Sequence, residues 1–361
     1  MRARLGSRAA LAVALSVIAA ATLYAQREPQ RGQETRWVVV SDPATDLWFH
    51  ALAVIGIDGP GTLPFYDADY AQAVAGEKAR RGVNPTRLDR DALRLRRAIM
   101  SDSAFELLHF LPLYLDRTSP EALARALRQI AAGSRATLAS EDVLGALRST
   151  LSSRAQRAVL TDLADAIEDE WQAFYRDDAS RRTAALAARR RALQSRWDES
   201  FAPRFARVFR TIGADGGVLL ISTPVGPEGR VVNLGPAGVI AAVSDRGGAG
   251  ADAPLLAAIR ELCFPLLQHI QDIDPIARAH AARGADESSR AAVQCGAQLV
   301  DSLMPSAATE YRALFLRARA GESPTGYRRR FDQRFRTDTV TLRALSQAMG
   351  GSTHLSLPLG R

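Results

Sequence analysis

The chain has 361 residues, of which 47% are hydrophobic and 24% charged, and its formal net charge at pH 7 is +8. This composition excludes an intrinsically disordered or collagen-like chain, because both lack the apolar residues that a core of ordinary size needs. The positive balance is weak as a sign of nucleic-acid binding, because the arginines are dispersed and Lys78 is the only lysine. We therefore expect a solvated basic surface and no nucleic-acid partner.

The first 25 residues have the three parts of a secretory signal peptide. They begin with three arginines, continue with an apolar run over 9–23 and end at Ala25, a small residue suited to cleavage. The apolar run is about 15 residues, shorter than the roughly 20 that a membrane-spanning helix needs. We expect export to the periplasm or the medium, with no membrane span after cleavage; retention of this segment as an anchor is the alternative. Cleavage leaves 361 − 25 = 336 residues and a net charge of +8 − 3 = +5.

The mature chain divides into two regions after a flexible polar segment at 26–35. The first, 36–213, begins with a strand at 37–40 and continues as helices. These are predicted at about 67–80, 89–101, 103–115, 119–132, 140–150 and 152–212, the last with a break near Asp177 or Pro203. The second region, 214–361, begins with three short strands at 218–221, 231–234 and 239–243, whose spacing predicts an antiparallel sheet within about 216–244. Helices follow at about 253–273, 286–303, 305–319 and 325–349. We predict an α+β fold, predominantly helical, in which both regions form one continuous globular unit.

The helix predicted at 253–273 has an almost continuous apolar surface. Asp252 can cap it and Pro254 lies in its first turn. One apolar stripe comprises Leu255, Ile259, Leu262, Leu266 and Ile270. We expect this helix to be buried on most sides. Because Pro265 lacks a backbone N–H, we expect it to kink or interrupt the helix.

Three short strands, a glycine-rich loop and a buried helix are the order in which zinc metallopeptidases of the gluzincin type present their H-E-x-x-H motif. At that place this chain has Arg260-Glu261-Leu262-Cys263-Phe264. The segment resembles H-E-x-x-H with Arg260 in the first histidine position, Phe264 in the second, and Glu261 in the position of the general base. The resemblance implies a zincin-like core and covers most of the mature chain.

The two substituted positions cannot bind zinc. Catalytic zinc needs three protein ligands and an open position for water. Arg260 stays protonated and Phe264 has no donor atom, so Asp286 or Glu287 on the next helix would be a single remaining ligand. The resemblance therefore implies a pseudo-peptidase with no metal and no other cofactor.

The function has three interpretations. The resemblance implies an exported, non-catalytic protein that binds a peptide or protein in the former cleft, with Glu261 in a groove beside the strand at 239–243 and paired with Arg260 or Arg290. The alternatives are an active hydrolase with an unrecognised site, which includes Glu261, and a structural helical protein of the cell envelope. If the motif is instead an ordinary stretch of core helix, Arg260 and Glu261 lie at its rim. No G-x-S-x-G or S-x-x-K motif is present, and the five histidines form no H-x-x-x-H pair.

Cys263 and Cys295 are the only cysteines. An even count is compatible with a bridge in an oxidising compartment. Both lie on apolar faces of consecutive helices, and the connecting segment contains Pro275 and Gly284, which can reverse the chain. The resemblance adds that these two helices pack together in zincins. A disulfide is one interpretation, and two separate buried thiols are the other.

Overall fold

The structure is a computed structural model. It describes residues 36–58, 63–115, 119–133, 141–214, 216–234, 238–245, 250–273, 285–319 and 321–337, with residues 340, 343, 344 and 347. The predicted signal peptide and the polar segment at 26–35 lie outside these residues. Among the described helices, none combines the length and apolar character that crossing a membrane requires.

Helices make up most of the first region, as predicted, and strong caps mark where several begin. The helices are α1 (Pro43–Ile55), α2 (Tyr70–Arg80), α3 (Arg87–Met100), α4 (Leu111–Tyr114), α5 (Pro120–Ala131), α6 (Glu141–Thr150), α7 (Arg154–Glu170), α8 (Arg176–Arg196) and α9 (Ala202–Thr211), with a 3₁₀ segment at Ser103–His109. Asp42 accepts a hydrogen bond from the backbone N–H of Thr45 at the start of α1. Thr86 and Asp89 form a capping box at the start of α3. The bond to Asp42 and the two bonds of the capping box satisfy N–H groups that the first turn of a helix leaves without partners.

Two π turns divide the long helix predicted over 152–212. They span Trp171–Tyr175 and Trp197–Phe201, and the aromatic residues at their ends are buried. Each turn inserts one residue into the helical period, which keeps those aromatic side chains on the buried side. Pro203 causes no break: it lies directly after the second π turn, and the helical backbone continues through it into α9.

The sheet is mixed rather than the predicted antiparallel one. Its strands are β1 (Trp37–Val40), β2 (Gly217–Ser222), β3 (Arg230–Asn233) and β4 (Val239–Ser244), in the spatial order β1-β2-β4-β3. β1 and β4 both run parallel to β2, and only the β3–β4 pair is antiparallel.

The connection after β2 explains why the antiparallel prediction is wrong for β2. It makes no hairpin, because the N–H of Asp67 bonds to the carbonyl of Pro224 at 3.1 Å and the N–H of Gly226 to the carbonyl of Phe65 at 2.8 Å. These bonds lead the chain past the position of β4 to the sheet edge, where β3 forms. The N–H of Leu234 bonds to the carbonyl of Gly238 at 2.9 Å, and β4 lies between β2 and β3.

The sheet lies between two helical layers and is buried on both faces. Leu219 and Ile221 of β2 contribute to the core formed with the C-terminal helices, whereas Leu220 contributes to the core of the N-terminal helices. The C-terminal helices are α10 (Ala253–Ile273), α11 (Ala285–Leu303), α12 (Ala308–Leu316) and α13 (Tyr327–Arg334). Burial on both faces accounts for the continuous apolar sequence of β2 and β4. α10 passes through Pro265 as one helix, so the predicted interruption there does not occur.

Cys263 of α10 and Cys295 of α11 are joined by a disulfide. Their Cα atoms are 6.0 Å apart, within the limit of about 7 Å for a bridge, and both side chains are fully buried. The bridge therefore ties together the two helices of the segment that carries the family resemblance.

Opening this disulfide is expected to lower the free energy of unfolding by about 3–4 kcal/mol, because it closes a loop across a sequence separation of 32 residues. The measurement is urea unfolding of the native protein and of the Cys263→Ala/Cys295→Ala variant. A thiol assay on the denatured, unreduced protein is the control. Two reactive thiols in that assay would show that the bridge does not form.

Candidate functional site

Arg260 and Glu261 lie in the middle of α10, where this helix packs against β3, β4 and α11. Their exposed fractions are 0% and 1%, so the expectation that an ordinary core helix would leave them at its rim is wrong. The backbone N–H of Gly229, next to β3, donates to Oε1 of Glu261 at 3.1 Å. A Cβ atom at Gly229 would lie 2.9 Å from Cδ of Glu261, which explains why glycine suits this position. The carboxylate is thus enclosed and does not face a groove.

The Arg260 guanidinium links three elements. Its Nη1 donates to Oε1 of Glu261, and its Nη2 donates to Oγ of Ser289 on α11 at 2.9 Å. The same Nη2 is 3.4 Å from Oε2 of Glu228, to which the Ser289 hydroxyl donates at 2.9 Å. Of the two predicted partners of Glu261, Arg260 is the one in contact, whereas Arg290 pairs with Asp286 near the surface at 2.5 Å.

Arg230, at the start of β3, is a second buried guanidinium. It stacks over the Phe65 ring, and its Nη1 donates to the carbonyl of Gly229 and lies 4.0 Å from Oε1 of Glu228. Burial lowers the pKa of Arg230 to about 10, although Glu228 opposes that shift. Two guanidiniums and two carboxylates therefore form a nearly neutral group, which we call the Arg260 cluster (Glu228, Arg230, Arg260, Glu261 and Ser289).

Glu228, Arg230 and Ser289 carry no sequence motif that predicts a functional site. Residues 224–229 have the glycine and proline content of a simple turn, and Ser289 follows Asp286 and Glu287, the charged residues that were the candidate third ligands. The available signal is an acid and a base separated by one glycine, Glu228 and Arg230, just before and at the start of a short strand. That pattern alone does not indicate that both side chains turn inward.

The cluster cannot hold zinc or act as a base. Burial raises the pKa of Glu261, while Arg260 opposes the shift by pairing with the carboxylate. Arg260 has no lone pair to donate, and Phe264 lies half-buried with its ring centroid 4.8 Å from Cζ of Arg260. A general base must reach its proton donor directly or through one water, and the enclosed carboxylate leaves no such route. Within the described part of the chain, no group of three or more His, Cys, Asp or Glu side chains has a metal-binding arrangement.

A second buried polar group occupies the N-terminal core. His50 contacts Oε1 of Glu170 through Nε2 at 2.9 Å and the Tyr70 hydroxyl through Nδ1 at 2.9 Å. Lys78 donates to Oε2 of Glu170 at 2.7 Å and to Asp89 at 2.7 Å. Although burial alone would raise the pKa of Glu170, hydrogen bonding and charge from His50 and Lys78 lower it to about 2. Because His50 and Glu170 are fully buried, this group stabilises the core and is closed to ligands.

An open cavity of about 710 Å³ lies beside the start of α10, between α8 and α12. We call it the α8–α12 cavity. Its lining comprises Arg189, Ala192, Leu193, Arg196, Gly250, Ala251, Asp252, Ser306, Thr309, Glu310 and Ala313. The connection after β4 forms part of its wall, and the carboxyl ends of parallel strands are where open α/β sheets commonly bind ligands. No residue of the Arg260 cluster contributes to this cavity.

Comparisons of the chain with models of protein families, with curated proteins and with solved structures find no match. The resemblance to metallopeptidases therefore depends on the order of elements and on residues 260–264.

Proposed function

We propose that this chain is an exported, non-catalytic protein on a metallopeptidase-like scaffold, and that it acts by binding a peptide or protein. The observation that carries the proposal is the position of the Arg260 guanidinium. Two buried carboxylates require a nearby cation, because an uncompensated buried charge is strongly unfavourable. Zinc supplies positive charge in an H-E-x-x-H site, whereas here Arg260 donates to Glu261 and approaches Glu228.

Two further observations support a scaffold of this kind. Arg260 and Phe264 contact each other on one face of α10, as side chains four residues apart in a helix do, and this is the face on which the motif would present two imidazoles. α10 also packs on α11, which the resemblance implies for the helix that carries the third ligand. On α11, Ser289 occupies the place nearest Arg260, so that place has no metal-binding carboxylate.

The enclosed Glu261 argues against the alternative of a hydrolase that uses this residue. It is compatible with the alternative of a structural envelope protein, because a closed ion cluster can serve stability alone. Peptide binding distinguishes a structural role from the proposed one.

Purified mature protein is expected to retain no stoichiometric zinc and to leave casein and unstructured peptides intact. The reason is that Arg260 would repel the ion and that Phe264 offers no ligand atom. Zinc is measured by mass spectrometry after incubation with the metal and desalting. One equivalent of zinc that is lost on Glu261→Gln substitution would refute the proposal.

A rebuilt motif is the positive arm of this experiment. The Arg260→His/Phe264→His variant restores H-E-x-x-H and removes the competing cation, so it is expected to bind Co²⁺ or Zn²⁺ near one equivalent. Leu93→His/Arg97→His places the same pair on the exposed face of α3 and is the matched control. Circular dichroism confirms that both variants are folded, because loss of Arg260 is itself destabilising. If the folded variant with the rebuilt motif binds metal no better than this control, the peptidase-like scaffold loses its support.

A further inference from the structure

A small cleft of about 230 Å³ lies at the carboxyl end of β4. The segment before α2, the connection after β2, the start of α10 and the end of α12 form its walls. We call it the Arg317 cleft, and its lining includes Pro64, Asp69, Pro227, Ser244, Leu314 and Arg317. The carboxyl ends of parallel strands are where open α/β sheets commonly bind ligands. Because sites for drug-sized molecules occupy roughly 300–1,000 Å³, this cleft suits a smaller ligand.

Arg317 has a backbone conformation that is unusual for its residue type. It follows α12 with a φ of 55° and a ψ of 45°, in the left-handed region, and every other residue with positive φ in the described part of the chain is a glycine. The N–H of Arg317 bonds to the carbonyl of Leu314 at 3.1 Å, and the N–H of Ala318 to the carbonyl of Ala313 at 2.9 Å. Glycine ends a helix in this way without steric cost. Costly backbone conformations are concentrated at ligand sites, so an arginine here indicates a use for its side chain.

The guanidinium of Arg317 is available to a ligand. Its side chain is exposed, and no described residue pairs with it. Arg312, in the same helix, shows the contrasting case, because it is buried and its Nη2 pairs with Asp301 at 2.5 Å. A guanidinium presents N–H donors in a planar fork, a geometry that binds both oxygens of a carboxylate.

Asp69 supplies an exposed carboxylate to the same cleft. It precedes α2, where aspartate commonly caps a helix, yet its side chain makes no capping bond and no described residue pairs with it. Its N–H bonds to Oδ1 of Asp67 at 2.9 Å, and the N–H of Asp67 bonds to the carbonyl of Pro224 at 3.1 Å. These bonds fix the backbone of the segment and leave the Asp69 carboxylate in solvent. The cleft thus presents one acid and one base on different elements, both accessible.

We infer that the Arg317 cleft binds a short aliphatic zwitterion, a free amino acid or a dipeptide, with its carboxylate at Arg317 and its ammonium at Asp69. A ligand with a single charge would meet one side chain of like charge in the cleft, whereas a zwitterion pairs with both. An ammonium has three N–H donors, which suits the carboxylate of Asp69. The half-buried side chains of Pro64, Pro227 and Leu314 suit the aliphatic part of the ligand. This inference rests on the proposed binding function and gives it a ligand class and a site.

The test is titration calorimetry with two zwitterions and two analogues that keep one charge each. The zwitterions are L-leucine and L-alanyl-L-alanine, and the analogues are N-acetyl-leucine and leucinamide. We expect the wild-type protein to bind at least one zwitterion at millimolar concentration and both analogues at least tenfold more weakly. Asp69→Asn and Arg317→Gly should each weaken the binding of the zwitterion at least tenfold. Asp332→Asn and Arg319→Gly are the matched controls, because both residues are exposed and lie outside the lining of the cleft.

Arg317→Gly also separates binding from folding. Because glycine adopts a positive φ without steric cost, this variant is expected to unfold at a urea concentration no lower than that of the wild-type protein. A residue that only ends the helix would give a glycine variant with unchanged binding. The expected result is therefore a protein that is at least as stable and no longer binds.

Each outcome decides the inference. Binding of L-leucine alone supports it with a free amino acid as the ligand, and binding of L-alanyl-L-alanine alone supports it with a dipeptide. The inference is overturned if neither zwitterion binds, if Arg317→Gly binds as the wild-type protein does, if an analogue binds as tightly as the zwitterions, or if Arg317→Gly loses binding together with stability. Zinc content and peptidase activity are measured on the same preparations. Their appearance would refute the proposed function, whereas their absence together with a failure to bind would refute the cleft inference alone.

Discussion

Replacement of Arg260 by methionine is expected to destabilise the protein by about 3–5 kcal/mol, because it leaves buried carboxylates without their counter-charge. Methionine keeps an unbranched side chain and removes only the guanidinium with its bonds to Glu261 and Ser289. The cost therefore reports charge compensation more than lost volume. The measurement is urea unfolding at pH 7, followed by circular dichroism.

Arg290→Met is the matched control for this prediction. Arg290 lies on α11 and pairs with Asp286, and both side chains are substantially exposed, at 34% and 47%. An exposed pair of this kind contributes about 0–1 kcal/mol. Adding Glu261→Gln to Arg260→Met should recover part of the loss, because it removes one uncompensated charge. A single Arg260→Met variant as stable as the control would mean that the cluster does not depend on this cation.

Replacement of Lys78 by methionine is expected to lower the free energy of unfolding by about 3–5 kcal/mol, because it leaves a buried carboxylate without its counter-charge in the core of the N-terminal helices. Lys78 is 4% exposed, and its ammonium contacts Glu170 and Asp89 at 2.7 Å each. Without it, the fully buried Glu170 retains His50 and the Thr86 hydroxyl as its side-chain partners among the described residues. Chemical unfolding at pH 7 measures the effect.

The pH dependence of unfolding identifies the affected carboxylate. Glu170 has a pKa of about 2 in the folded protein and an ordinary value of 4.5, so its charged form stabilises the fold. That stabilisation is complete above pH 4.5 and is lost as the pH falls toward 2; its size is about 3 kcal/mol. Lys78→Met should make this acid dependence shallower, whereas Arg80→Met, which alters an exposed pair with Glu77 on α2, should leave it unchanged. An unchanged slope in both variants would contradict the role of Lys78.

The Arg260 cluster and the buried group of His50, Lys78 and Glu170 differ in how far the sequence predicts them. Arg260 and Glu261 are adjacent residues in a strongly apolar helix, so a candidate site could be predicted there. His50, Lys78 and Glu170 are separated by 28 and 92 positions and lie in three helices of ordinary composition. Only the packing of α1, α2 and α7 brings their side chains together. The π turn that follows Glu170 adds a further shift of phase that helical periodicity does not predict.

The sequence by itself determined most of the helices and where several of them begin, because apolar periodicity, caps and prolines act locally. It did not determine every end: α13 ends at Arg334, whereas the helix predicted there extends to 349. It also determined that the chain would be predominantly helical with a small sheet, and it located the buried helix α10. These features depend on interactions between residues that are close in the chain.

Only the tertiary structure decided the direction of the strands and the environment of the charges. Short apolar strands have the same composition in parallel and antiparallel sheets, and the contacts of residues 224–228 with the segment at 64–67 place β4 next to β2. Likewise, a charged residue in a helix has the same local preferences whether it is solvated or paired in the core. Its burial depends on whether distant elements supply opposite charge, as Glu228 does for Arg260 and Glu170 does for Lys78.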